Sequence, residues 1–228
     1  MKKLLAMILG ISLMLSTVCG FAESTVDTIM AAGTTQAFTD EAVPTEDIET
    51  ILQAGLSATS AMNQQPWFLV ALTDSEMMTT INESAGAMTP PEGFKPDNAQ
   101  SQAPAENAPA AENMAPAAGN IAKAGLGDSP LAIIIYKDNS TMSPDASFDC
   151  GLAAQNMYIA AVSLGYGVKI ISSTTNALNG EEHDALCEQL GVDPSLEAVA
   201  VLLIGKTDTD AVSSATVRKT MEEKTSIK

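Results

Sequence analysis

The chain has 228 residues, with 28 Asp and Glu set against 11 Lys and Arg, a formal net charge of −17. That balance excludes a nucleic-acid binder, whose phosphate partner demands basic surface, and argues against electrostatic adhesion to anionic lipid. One histidine and three cysteines leave no ligand spacing for a metal and no disulfide framework, and no G-x-S-x-G or Cys/His pair points to a hydrolase.

The N-terminus opens with Lys2-Lys3 and then runs uncharged for fifteen residues from Leu4 to Val18. Such a run is short for a membrane-crossing helix and suits the core of a signal peptide. Gly20 and Ala22 supply the small residues before the polar Glu23-Ser24, so residues 1–22 read as a leader cleaved after Ala22. The expected location is extracytoplasmic: secreted, periplasmic or cell-surface. Cys19 offers a rival, a lipidated mature N-terminus, but Val18 and Ser16 stand where lipoproteins favour a small residue and a leucine. Loss of Lys2 and Lys3 with the leader takes the net charge to −19. Residues 23–228 then form one domain with a sizeable core, in which Cys150 and Cys187 remain.

Thr45–Leu52 reads as an amphipathic helix, started by Pro44, carrying Ile48, Ile51 and Leu52 on one face, and closed by Gly55. Ser60-Ala61-Met62-Asn63-Gln64-Gln65 next sets short hydrogen-bonding groups ahead of Pro66 and an apolar strand, Trp67–Leu72. Polar side chains held just before a buried strand suit a planar, heteroatom-rich ligand. The plainer reading is a loop whose side chains cap its own backbone. Asp74–Glu83 predicts a short helix. Residues 88–120 are mainly Ala, Pro, Asn, Glu and Gln without a hydrophobic period. Too little apolar surface is available there to offset ordering, so a mobile, low-complexity insertion within the domain is expected, with a lid over the ligand site as its functional reading.

The β-branched run Pro130–Tyr136 predicts a central strand, and Asp145–Leu164 a long helix with Leu152, Asn156, Ile159 and Ser163 on one stripe and Gly165 at its end. Tyr166–Ile171 is the next strand. Glu181–Leu190 is a helix stopped by Gly191, with His183 solvated on its polar face. Ala198–Ile204 is the last core strand, and a polar tail, residues 206–228, follows. Helices alternating with buried strands predict a mixed α and β fold with helices on both sheet faces.

Several strings, in order, carry a resemblance. Ser60-Ala61-Met62-Asn63-Gln64-Gln65-Pro66-Trp67 resembles the S-x-x-N-x-Q-P-W segment of the nitroreductase family. Ala37–Pro44 resembles that family's first-helix exit, and Asp149–Met157 the D-x-G-x-A-x-Q-N start of its long central helix. Leu164-Gly165-Tyr166-Gly167, Leu190–Pro194 and Ile204-Gly205 match later landmarks. The resemblance implies an α+β fold, a three-layer α/β/α sandwich around a mixed, largely antiparallel sheet. It also implies an intertwined homodimer with two FMN sites at the subunit interface. An FMN-dependent oxidoreductase is therefore expected, with Ser60, Asn63 and Gln65 on the flavin and Thr34 and Gln36 near its ribityl or phosphate end. The protein supplies position rather than a catalytic side chain, so no catalytic residue is named. Small conjugated acceptors, nitroaromatics or quinones, fit the family. Nicotinamide cofactors are scarce outside the cytoplasm, so an extracytoplasmic or membrane electron donor is the expectation.

One departure stands out. Where the family has R-S-x-R, with arginines on the FMN phosphate, this chain has Gly33-Thr34-Thr35-Gln36. Each lost charge-assisted hydrogen bond is worth roughly 1.5–3 kcal/mol. That loss motivates an alternative, a flavin-free binding or scaffold protein on the same fold. The tail points the other way. Asp210-Ala211-Val212-Ser213-Ser214-Ala215-Thr216 is similar to the D-x-x-S-G-A-T signature at which a flavin transferase attaches FMN to threonine, with Ser214 in place of glycine. The similarity implies covalent FMN at Thr216, with Arg218 or Lys219 as a remaining cation. A tethered phosphodiester carries less charge than free FMN and needs less tight phosphate binding.

Overall fold

A computed structural model describes residues 25–35, 37–84, 125–207 and 219–227. Helix α1, Thr25–Ala31, belongs to an N-terminal unit, residues 1–32, and everything that follows lies in the second unit, residues 33–228. The leader expected over residues 1–22 lies outside the described residues, as do the insertion at 88–120, Gln36, and the tail from Asp210 to Arg218.

Four strands form the sheet: β1 Trp67–Leu72, β2 Leu131–Lys137, β3 Gly167–Ile171 and β4 Glu197–Gly205. Their spatial order is β1-β2-β4-β3. The sheet, expected to be largely antiparallel, is antiparallel at all three described pairings. The two inner strands are the most completely buried, and every residue of Leu131–Tyr136 is fully buried. Burial on both faces is what an uninterrupted β-branched run without polar alternation dictates.

The two faces have different covers. Ala132, Ile134 and Tyr136 point with Val201 and Leu203 into a core shared with α3 (Ser75–Ser84), α5 (Thr175–Leu178) and α6 (His183–Leu190). The opposite face is crossed by α4, Ala146–Ser163, against which α2, Thr45–Leu56, packs. The result is the expected α/β/α layering. The last described helix, α7, is the short Met221–Lys224.

Two local readings change. Gly55 does not end α2; the helix runs to Leu56 and Ser57 caps it. Gly55 is buried instead, and a Cβ there would stand 2.8 Å from Met157 Cγ. Its lack of a side chain lets α2 approach α4, an advantage that outweighs the propensity cost of glycine within a helix. The predicted stripe of α4, Leu152, Asn156, Ile159 and Ser163, is half-buried to exposed. The helix buries Cys150, Ala153, Met157 and Ala161 instead.

Candidate functional site

Ser60 is extended, and Ala61–Asn63 then makes a single 3₁₀ turn. Met62, Asn63 and Gln65 all have positive φ, at 52°, 54° and 47°. Asparagine tolerates this region, whereas methionine and glutamine rarely enter it; such outliers cost on the order of 1–3 kcal/mol each and cluster at functional sites. The loop is held at several points. Ser60 Oγ accepts from Gln65 N at 2.9 Å, and Gln64 Oε1 accepts from Met142 N at 3.0 Å. Both carboxylate oxygens of Asp149 lie 3.2 Å from Ala61 N. Pro66 O accepts from Asp138 N at 2.7 Å, fixing the entry to β1.

This arrangement sorts the predicted residues. Ser60 turns its oxygen to the loop's own backbone, the plainer role, and keeps its proton for another acceptor. The side chains of Asn63 and Gln65 are exposed, and neither has a hydrogen-bond partner among the described residues. Unpaired amide groups on a backbone held in a strained shape can serve a ligand without giving up an internal bond.

The segment predicted at the other end of the flavin lies along the edge of β3. Thr35 N donates to Val168 O at 3.0 Å, and Thr35 is buried. Gly33 O accepts from the Tyr158 hydroxyl. Thr34 is half-buried between them. A Cβ on Gly167 would come within 2.5 Å of both Thr35 Oγ1 and Thr207 Oγ1, so the glycine of the G-x-G string lets this segment approach the sheet. Gly33, Thr34 and Thr35 bring no positive charge. Lys206, close by in sequence to Thr207, lies with its Nζ 4.1 Å from the Tyr166 ring centroid. Burial, reinforced by the hydrogen bond to Asp47, pushes the Tyr166 phenol up to about 12. Thr216 and Arg218 lie outside the described residues, and Lys219 is exposed.

One helix links the two segments. Asp149 in the first turns of α4 holds the loop, and Tyr158, nine residues on, holds Gly33, about 14 Å further along the axis at 1.5 Å per residue. The sequence placed Asp149 at the head of a family string without assigning it a contact.

Two cavities flank these elements. One, of about 460 Å³, is lined by Lys137, Cys150, Gly151, Thr175, Asn179 and Ala198. It adjoins the loop's exit, because Cys150 Sγ lies 3.9 Å from Pro66 O. Burial, and then the charge of Asp149, pushes that thiol up to about 12, which removes it as a nucleophile. The other, of about 450 Å³, has Val43, Ile48 and Met78 in its wall. Neither contains Thr34, Ser60, Asn63 or Gln65.

His183 is not solvated as expected. Its Nε2 stands 2.9 Å from Pro194 O and its Nδ1 faces Leu178 O. Two carbonyl acceptors need two N–H donors, so these contacts, chiefly that with Leu178, raise the imidazole pKa.

The model of the nitroreductase family matches residues 29–206. The chain belongs to the nitroreductase family. It is 28% identical to an NADPH-flavin oxidoreductase of Vibrio harveyi, over 68% of this chain and 55% of that protein. Identity is also 28% to a putative NADH dehydrogenase/NAD(P)H nitroreductase of Methanothermobacter thermautotrophicus, over 57% of this chain and 51% of the relative. The chain thus spans about half the length of these two curated relatives. A crystal structure of a nitroreductase with bound FMN from Desulfitobacterium hafniense superposes with a TM-score of 0.67 at 19% identity, covering 90% of this chain and 98% of that one. Likeness at that identity establishes the fold.

Proposed function

We propose that this nitroreductase-family chain is an exported FMN-dependent oxidoreductase. The observation that carries the reading is the Ser60–Gln65 loop: three non-glycine residues at positive φ, with the Asn63 and Gln65 amides unpaired among the described residues. Family membership makes FMN the ligand to test there, and both the relatives named for flavin or nicotinamide oxidoreductases and the FMN-bound structure support it. Bound FMN would supply one- or two-electron transfer to a small conjugated acceptor, a nitroaromatic or a quinone. The chain's own task is to orient the ring through Asn63, Gln65 and the Ser60 hydroxyl, and the far end through Thr34 and Gln36.

The absence of cations at Gly33-Thr34-Thr35 is offset, in this reading, by a covalent tether. A phosphoester forms between the Thr216 oxygen and the FMN phosphate as the hydroxyl loses its proton. A flavin transferase supplies the FMN moiety from a flavin dinucleotide, and a nucleoside monophosphate leaves. Export then explains the tether, since a freely exchanging cofactor would be lost outside the cell. Arg218 and Lys219 are the cations nearest that tether in sequence. An intertwined homodimer, with the flavin at the subunit interface, fits a loop whose amides face outward and a stripe on α4 that a single chain leaves half-exposed. The electron donor is membrane-bound or extracytoplasmic.

The second reading, a flavin-free binding or scaffold protein, draws on the same neutral Gly33–Thr35 segment. FMN titration separates the two. The oxidoreductase reading expects quenching of flavin fluorescence at one FMN per chain; no binding at any concentration favours the scaffold. Rapid steady-state turnover with NADH or NADPH as sole donor would overturn the proposed donor.

A further inference from the structure

We infer that Asp149 is a positioning residue for the cofactor loop: its carboxylate holds the strained Ser60–Gln65 backbone in the shape that presents Asn63 and Gln65. The inference rests on the flavin-binding reading of that loop.

Asp149 is 3% exposed and forms no ion pair among the described residues. A buried carboxylate is costly unless its lone pairs are used. Here they are: Oδ1 and Oδ2 accept from Ala61 N, each at 3.2 Å, and Oδ2 accepts from Ser143 Oγ at 2.7 Å. The position near the N-terminus of α4 also favours negative charge. Capping does not explain the residue, because Asp145 already caps α4 by accepting from Phe148 N at 3.0 Å. What Asp149 adds is a bond across 88 residues of sequence, from a core helix to the first residue of the 3₁₀ turn.

The other contacts cannot replace it. Ser60 to Gln65 closes the loop on itself, and Gln64 to Met142 joins it to another exposed loop. Among the described residues only Asp149 ties the turn to a buried element. Three left-handed residues would relax without such a hold, and the two amides would lose their fixed direction.

Two substitutions test the bond from either end. Asp149→Leu keeps the branched shape of the side chain but offers Ala61 N no acceptor. Ala61→Pro removes the donor alone; proline suits the first position of a helical turn, and Ser60, at φ −140° and ψ 157°, already has the backbone a pre-proline residue adopts. Each should weaken FMN binding by about ten- to hundredfold while melting stays cooperative. In the apo protein each should speed amide exchange across residues 60–66 by at least about tenfold. The double variant should be no worse than the weaker single, the signature of one shared bond. Ser143→Ala, which leaves both Ala61 contacts, should have a smaller effect and serves if Asp149→Leu fails to fold. Wild-type affinity and unchanged exchange in Asp149→Leu and Ala61→Pro would overturn the inference. If the wild type binds no FMN, the flavin reading fails, and exchange at 60–66 still decides whether Asp149 sets the loop.

Discussion

The two ends of α4 hold their neighbouring segments in opposite ways. At its start Asp149 grips a strained loop whose Asn63 and Gln65 side chains are exposed and without partners among the described residues; at Tyr158 it grips Gly33, in a segment that spends its backbone on β3 and buries Thr35. The first end is built to present directional hydrogen-bonding groups. The second is closely packed and carries no cation at Gly33, Thr34 or Thr35. A flavin held by such a pair of segments is oriented by the loop and retained by something else, which is the physical case for a tether at Thr216.

The largest expected effect therefore comes from Thr216→Ala. In protein exported together with a flavin transferase, this variant should lose all covalent FMN by intact mass, and FMN should wash out on gel filtration. Retention of FMN through washing would mean that the Gly33–Thr35 end binds the phosphate well without a tether. Gly167→Ala attacks the same end through packing. Its Cβ would collide with Thr35 Oγ1 and Thr207 Oγ1, and overpacking of this kind costs about 1–3 kcal/mol. Chemical denaturation reads the loss, and an unchanged midpoint would show that the segment gives way freely.

Asn63→Ala sharpens the loop side. Removing one neutral hydrogen bond of about 1 kcal/mol should weaken FMN binding by roughly fivefold or shift its reduction potential, with about 1 kcal/mol lost from stability because alanine tolerates the positive φ of Asn63 less well than asparagine. Wild-type affinity and potential would remove Asn63 from the site. The smallest effect concerns His183, remote in the fold's logic from both ends. Its raised pKa means that the stabilisation is complete below the ordinary imidazole value, near 6.5, and fades as pH rises through the higher folded-state value. The denaturation midpoint should thus fall slightly above neutral pH, His183→Gln should flatten that slope, and flavin affinity should follow neither. A flat wild-type profile would contradict the two-carbonyl clamp.

How far the sequence could be read follows the range of the interactions involved. Strands β2 and β4 were legible because long β-branched runs need no distant partner to declare themselves. The ends of α2 were not: Gly55 resembles a stop signal, and only Met157, on a helix about a hundred residues later, shows that its missing side chain serves packing. Helix α5, Thr175–Leu178, is too short to carry a period. His183 looked solvated because the carbonyls of Leu178 and Pro194 converge on it only once the chain has turned. At the candidate site the residue types of the loop were legible, but its three positive φ values and its bond to Asp149 were not. Backbone strain is set by what holds the loop, and that hold is long-range.

The claim that the Ser60–Gln65 loop serves a retained flavin is tested most directly by one combined measurement. The full chain, exported from cells that supply a flavin transferase, is examined by visible absorbance and intact mass. The account predicts a yellow protein with flavin absorbance and a mass increased by one FMN less one water. A colourless chain of unmodified mass that takes up no added FMN would contradict it.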